Sequence, residues 1–169
     1  MPQSYTDFKE DIKKYLIENL SKDQKILDVG PGLGTYSTLI RDQGFSMDAI
    51  EIHEPYVDMF GLRGKYDHVF IRNIVGFDLS GYDFIILGDV VEHISIEEAQ
   101  SLIQSIASQN KACLVAVPFM MEQGEMYGNP YEAHQQPDLN PEVFSQRYPQ
   151  LKLVFSNDFC GYYSMGLPR

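Results

Sequence analysis

Apolar residues along this chain recur with two different periods. Between residues 7 and 20, Phe8, Ile12, Tyr15, Leu16 and Leu20 fall on one face of a helix. KILDVG (25–30) is a short apolar run ending in glycine and predicts a buried strand. Residues 34–43 predict a helix, with Gly44 as the residue just past its end, where a positive φ costs glycine nothing. MDAIEI (47–52) predicts a second strand, and Pro55 opens a short helical stretch to about Phe60, broken by Gly61 and Gly64. DHVFI (67–71) and DFIILG (83–88) predict a third and a fourth strand. Ser95 with Glu98 three residues on forms a capping box, and Ala99, Leu102, Ile103 and Ile106 make the apolar stripe of the helix that follows. ACLVAV (112–117) is continuously apolar and stops at Pro118. Asn140–Pro141 predicts a helix start, with the helix ending before Pro149, and two last strands cover about 151–156 and 159–165. Continuously apolar strands alternating with amphipathic helices indicate a parallel sheet covered on both faces. The expected fold is α/β: one domain over 1–169, with a seven-stranded, mostly parallel sheet and helices on both faces.

The length of 169 residues suits one domain with its own core, without a disulfide or metal staple. No apolar run approaches a membrane span, and the polar N-terminus lacks the apolar region of a secretory signal. Asp and Glu number 24 against 13 Lys and Arg, a net charge of −11 that argues against a nucleic-acid partner. Cys113 and Cys160 are expected to be structural thiols, since they lie far apart and match no metal spacing. A reducing cytoplasm fits this usage.

Between Pro118 and Asn140 the periodicity stops. Residues 119–139 hold two Gly, two Pro, three Met, two Tyr and a His, and a loop of that length in a compact domain is usually functional. The chain thus divides into an N-terminal helix (1–20), a core (25–118) and a substrate lid (119–140).

The densest signal is Asp28-Val29-Gly30-Pro31-Gly32-Leu33-Gly34, between the first strand and the next helix. Gly30 and Gly32 allow a ligand to lie on bare backbone, and Gly34 is expected to let the helix start close to the strand. The GxGxG spacing differs from the GxGxxG of dinucleotide folds, and Asp28 would repel a phosphate but suit a ligand amine. In this the chain resembles the class I S-adenosylmethionine-dependent methyltransferases. The resemblance spans roughly residues 25–118, with the motifs in order.

It implies a Rossmann-like fold, with S-adenosylmethionine as cofactor and S-adenosylhomocysteine as product. It also implies a site built from Asp28, Gly30, Gly32 and Gly34 of the loop and from Glu51, whose carboxylate would accept from two ribose hydroxyls. Ile52 and Ile74 would pack on adenine, with His53 either a further contact or a solvated loop residue. Asn73 stands where the family often has Asp, and its amide oxygen would accept from the adenine amine. Gly88 and Asp89 would face the methionine end of the donor or the acceptor. Glu92-His93 recurs in relatives with unrelated substrates, which fits a structural turn. The lid carries Tyr127, Tyr131 and His134, expected to face an acceptor, with His134 as general base and Asp89 or His93 as the substitutes.

The resemblance implies a methyltransferase acting on a small molecule, a saccharide among the candidates. The principal alternative is a silent S-adenosylmethionine-binding protein that serves a protein partner. A nicotinamide oxidoreductase is disfavoured by the loop spacing and Asp28, and an RNA methyltransferase by the charge. No carboxylate cluster suited to Mg²⁺ shows in the linear sequence.

Overall fold

The computed structural model describes residues 7–167; residues 1–6, the start of the polar N-terminal segment, and 168–169 lie outside the described residues. The elements run α1 (Lys9–Asn19), β1 (Lys25–Val29), α2 (Thr35–Ile40), β2 (Ser46–Glu51), α3 (Glu54–Met59), β3 (Val69–Ile71), β4 (Phe84–Gly88), α4 (Ile96–Ser108), β5 (Ala112–Pro118), α5 (Pro141–Arg147), β6 (Lys152–Ser156) and β7 (Cys160–Met165). Short 3₁₀ turns at Arg41–Gln43, Leu62–Gly64, Val91–His93 and Pro130–Glu132 complete the connections.

One seven-stranded sheet has the order β3-β2-β1-β4-β5-β7-β6. The first five strands of that order are parallel, and β7 runs antiparallel to both β5 and β6. β4 and β5 are buried at every position because helices cover both faces. Edge strand β6 is mostly exposed, in keeping with its LysLeuValPheSer sequence.

Successive residues of each strand point to opposite faces, so the core divides in two. Leu27, Val29, Ile85, Leu87, Val115 and Val117 join Ala99, Ile103 and Ile106 of α4 and Phe144 of α5 on one face. Ile26, Phe84, Ile86 and Leu114 join Ile12 and Leu16 of α1 and Tyr36 and Ile40 of α2 on the other. α4 starts as its sequence dictates: Glu98 N donates to Ser95 Oγ (3.2 Å) and Ser95 N to Glu98 Oε2 (3.1 Å). Gly44 takes φ +87° beyond the 3₁₀ turn that extends α2. Cys113 and Cys160 are buried free thiols. Asp48 of β2, fully buried, accepts from Tyr82 Oη (2.8 Å) and pairs with Lys25 Nζ (2.8 Å).

Among the described residues no helix is long and apolar enough to cross a membrane. The carboxyl ends of β1, β2, β4 and β5 share one edge of the sheet. The chain order reverses there between β1 and β4, which is where open α/β sheets leave a crevice for ligands.

Candidate active site

A cleft of about 610 Å³ opens at that edge. Its first wall is the loop after β1. Gly30 (φ +59°) and Gly32 (φ +51°) are both left-handed, and both line the cleft with Pro31. A Cβ at Gly30 would come within 3.0 Å of Val90 Cγ2, so the loop lies against the segment after β4 as bare backbone. Gly34 does not line the cleft. A Cβ there would sit 2.7 Å from Lys65 Cδ, whose Nζ donates to Leu33 O (2.6 Å). Gly34, the left-handed residue that starts α2 (φ +76°), thus also makes room for a lysine that ties down the loop.

Asp28 is also absent from the cleft wall. It is 1% exposed, behind the loop, where its Oδ2 accepts from Tyr66 Oη at 2.6 Å. It lies on the face that packs against α1 and α2, and its Oδ1 has no hydrogen-bond partner among the described residues. Burial pushes its carboxyl up to about 7, against the pull of the Tyr66 hydrogen bond and of Lys9.

Glu51 ends β2, lines the cleft and is 4% exposed. Its Oε1 accepts from His53 N (2.8 Å), and burial raises its carboxyl to about 7. Ile52, Asn73 and Ile74 stand beside it on the wall. Asn73 Oδ1 already accepts from Val75 N (2.9 Å), which orients the amide. His53 packs its ring on Tyr56, 4.6 Å between centroids, and stays outside the cleft.

Buried carboxyls at Asp28 and Glu51 make stability depend on pH in a stated direction. Both folded values lie above the unfolded ones, so the folded chain holds the extra protons between about pH 4 and 7. Stability from this source is complete below pH 4, falls on the order of 1 kcal/mol per pH unit for each group up to about 7, then levels. Chemical denaturation between pH 5 and 8 should show this fall, and Asp28→Asn should flatten it. An unchanged slope in Asp28→Asn would remove Asp28 from the account.

A further part of the cleft wall is formed by the segments after β4 and β5. Gly88 ends β4, where a Cβ would overlap the Tyr36 ring. Asp89 follows in the left-handed region (φ +54°) and lines the cleft. Glu92 and His93 sit in the next 3₁₀ turn, and both line the cleft with His134 and Tyr131 of the lid. Burial, with the nearby His134, holds the His93 ring down to about 4, and burial raises the Glu92 carboxyl.

The lid is strapped to that turn. Gln135 N and Gln136 N both donate to Glu92 O (2.7 and 3.1 Å), and Gln136 Nε2 donates to Val91 O (2.9 Å). His134 Nδ1 lies 2.8 Å from Met121 O, which can only accept, so Nδ1 carries the proton and the Nε2 lone pair is left available. Tyr127, 60% exposed and left-handed, does not line the cleft, which corrects its expected inward position. A two-residue turn closed by the Met126–Asn129 bridge throws it outward.

The sequence reading missed Tyr36 and Tyr56, two buried tyrosines on the cleft wall. Tyr36 lies in the first turn after the glycine loop, and that placement was the available signal.

A family model described as a methyltransferase domain matches residues 3–137. A comparison with curated proteins finds no match. Among solved structures, an SAM-dependent methyltransferase from Archaeoglobus fulgidus superposes with a TM-score of 0.62 at 19% identity, covering 88% of this chain and 73% of its own. Magnesium protoporphyrin IX methyltransferase from Synechocystis PCC 6803, with bound SAM, gives 0.64 at 16%, covering 92% and 76%. The glycopeptide N-methyltransferase MtfA, complexed with S-adenosyl-L-homocysteine, gives 0.66 at 11%, covering 98% and 92%.

Proposed function

The chain belongs to the class I S-adenosylmethionine-dependent methyltransferases, and from that premise we propose that it methylates a small hydroxylated acceptor of the saccharide type. One observation carries the reading. One cleft is lined by the bare glycine loop and Glu51 together with Asp89, His93 and the lid's His134.

The residues present fit the cofactor. Gly30 and Gly32 offer a wall without side chains, Glu51 a buried carboxylate for a diol, and Ile52 and Ile74 apolar surface for a purine, beside the Asn73 amide. When bound, S-adenosylmethionine supplies an electrophilic methyl on a sulfonium sulfur. The protein's own task is to hold an acceptor oxygen in line with that methyl and exclude water, and orientation supplies most of the rate. Asp89 and His93 line the same cleft, and the His134 Nε2 lone pair can accept the acceptor's proton. Tyr131 offers a ring to a sugar face, and Gln123, Asn129 and Glu132 on the same wall offer polar contacts. A lid that lines this cleft supports an enzyme rather than a silent cofactor-binding protein. The charge of −11 disfavours a polyanionic acceptor.

Titration calorimetry with S-adenosylhomocysteine tests the cofactor end. Glu51→Ala should weaken binding by roughly 1.5–3 kcal/mol for each charge-assisted hydrogen bond lost, and Glu51→Gln by less. Wild-type affinity in Glu51→Ala, or NAD binding in place of S-adenosylhomocysteine, would overturn the assignment.

A further inference from the structure

We propose that Glu92, His93 and His134 together hold a divalent cation of the zinc–cobalt–manganese class at the acceptor end of the cleft. This rests on the proposed function only for the cation's job, not for its binding.

One donor atom from each of the three residues lies within 4.8 Å of the other two. His93 Nε2 is 4.0 Å from Glu92 Oε1, and the His93 and His134 rings meet edge to face with centroids 4.7 Å apart. Tetrahedral bonds of about 2.1 Å would set such donors roughly 3.4 Å apart, so side-chain rotations that close a pair by about 1.4 Å at most complete the set.

Glu92 supplies a separate observation. Its side chain is 1% exposed, and neither carboxylate oxygen has a hydrogen-bond partner among the described residues. A buried carboxyl in that state either keeps its proton or meets something positive, and a divalent cation is the partner that lets it ionise. Among the described residues, His93 and His134 stand beside it with Tyr36 and Tyr148 nearby, and Asp89 and Glu132 add negative charge.

One of the two imidazoles is also prepared as a ligand. His134 gives its Nδ1 proton to the Met121 carbonyl, the arrangement metal-binding histidines use to fix ring orientation and free the other nitrogen. Three further hydrogen bonds, from Gln135 N, Gln136 N and Gln135 Nε2 to the carbonyls of Glu92 and His93, lock the lid to the turn that carries the other two donors. Two nitrogens and one carboxylate favour borderline transition cations over Mg²⁺ or Ca²⁺, which prefer oxygen. Three protein ligands leave a position open toward the cleft, as in catalytic rather than structural sites. With the cation bound, His134 is a ligand, the cation would polarise the acceptor hydroxyl, and Asp89 on the same wall would take the proton that the hydroxyl gives up.

The test is Co²⁺ titration of the full chain, followed by visible absorbance and by calorimetry, with S-adenosylhomocysteine affinity measured in parallel. One Co²⁺ per chain with d–d bands is expected. His134→Ala and Glu92→Gln should weaken Co²⁺ at least tenfold and leave S-adenosylhomocysteine affinity within about threefold. Co²⁺ binding that is absent, or unchanged in both variants, overturns the proposal as adventitious binding to an acidic surface. Co²⁺ binding in a chain that fails to bind S-adenosylhomocysteine keeps the metal site and overturns the methyltransferase reading instead.

Discussion

Gly32→Val should abolish S-adenosylhomocysteine binding in a chain that still folds. Gly32 has φ +51° and lines the cleft. A β-branched residue there carries a left-handed penalty of about 1–2 kcal/mol and puts two methyl groups onto the bare wall. The penalty is a fraction of a domain's stability, whereas the methyl groups occupy the ligand's space. A loss of affinity beyond about 100-fold is expected, with a melting temperature lowered by a few degrees. Gly44→Val is the control: φ is +87°, nothing lies within 4 Å of a Cβ there, and it is far from the cleft. It should lower the melting temperature comparably and bind normally. If Gly32→Val binds as the wild type does, the loop does not face the ligand.

His134→Ala should lower turnover on the order of 10²–10⁴-fold, the range for removing a general base. Its Nε2 is the lone pair that the Met121 hydrogen bond leaves available. Without a cation that lone pair accepts the acceptor's proton, and with one it is a ligand, so the variant loses turnover either way. Cofactor affinity should stay near wild type, since His134 is not among the residues expected to hold the cofactor. The measurement is methyl transfer from labelled S-adenosylmethionine to an acceptor found by screening saccharides and other small alcohols. Turnover within a few-fold of wild type would move the burden to Asp89 and His93.

Local patterns carried much of this architecture. Each strand run and the α4 stripe describe which face of one element must leave water, and that requirement is written in neighbouring residues. The capping box at Ser95 and the turn at Gly44 were legible for the same reason. Glu51 could be placed at the mouth because it ends an apolar run that must be a strand, and the strand's carboxyl end faces the crevice.

Which side of a loop faces the ligand was not local information. Asp28 alternates with Leu27 and Val29, and only the packing of α1, α2 and Tyr66 shows that its face is buried rather than open. Tyr127 reads like Tyr131 in sequence, yet the Met126–Asn129 turn sends it to solvent. Gly34 is explained by Lys65, a residue 31 positions away that no period connects to it.

The sequence by itself therefore determined the class of fold, the order of its elements, the glycine loop and the acid at the end of β2, because each follows from a short-range period or a turn's steric demand. Tertiary structure decided the meeting of His93 with His134. β4 and β5 are parallel neighbours, so the segments leaving their carboxyl ends emerge side by side, and hydrogen bonds from Gln135 and Gln136 fix their register. Strand order is a property of the whole sheet's packing, and two residues 41 positions apart carry no mark of it in the chain.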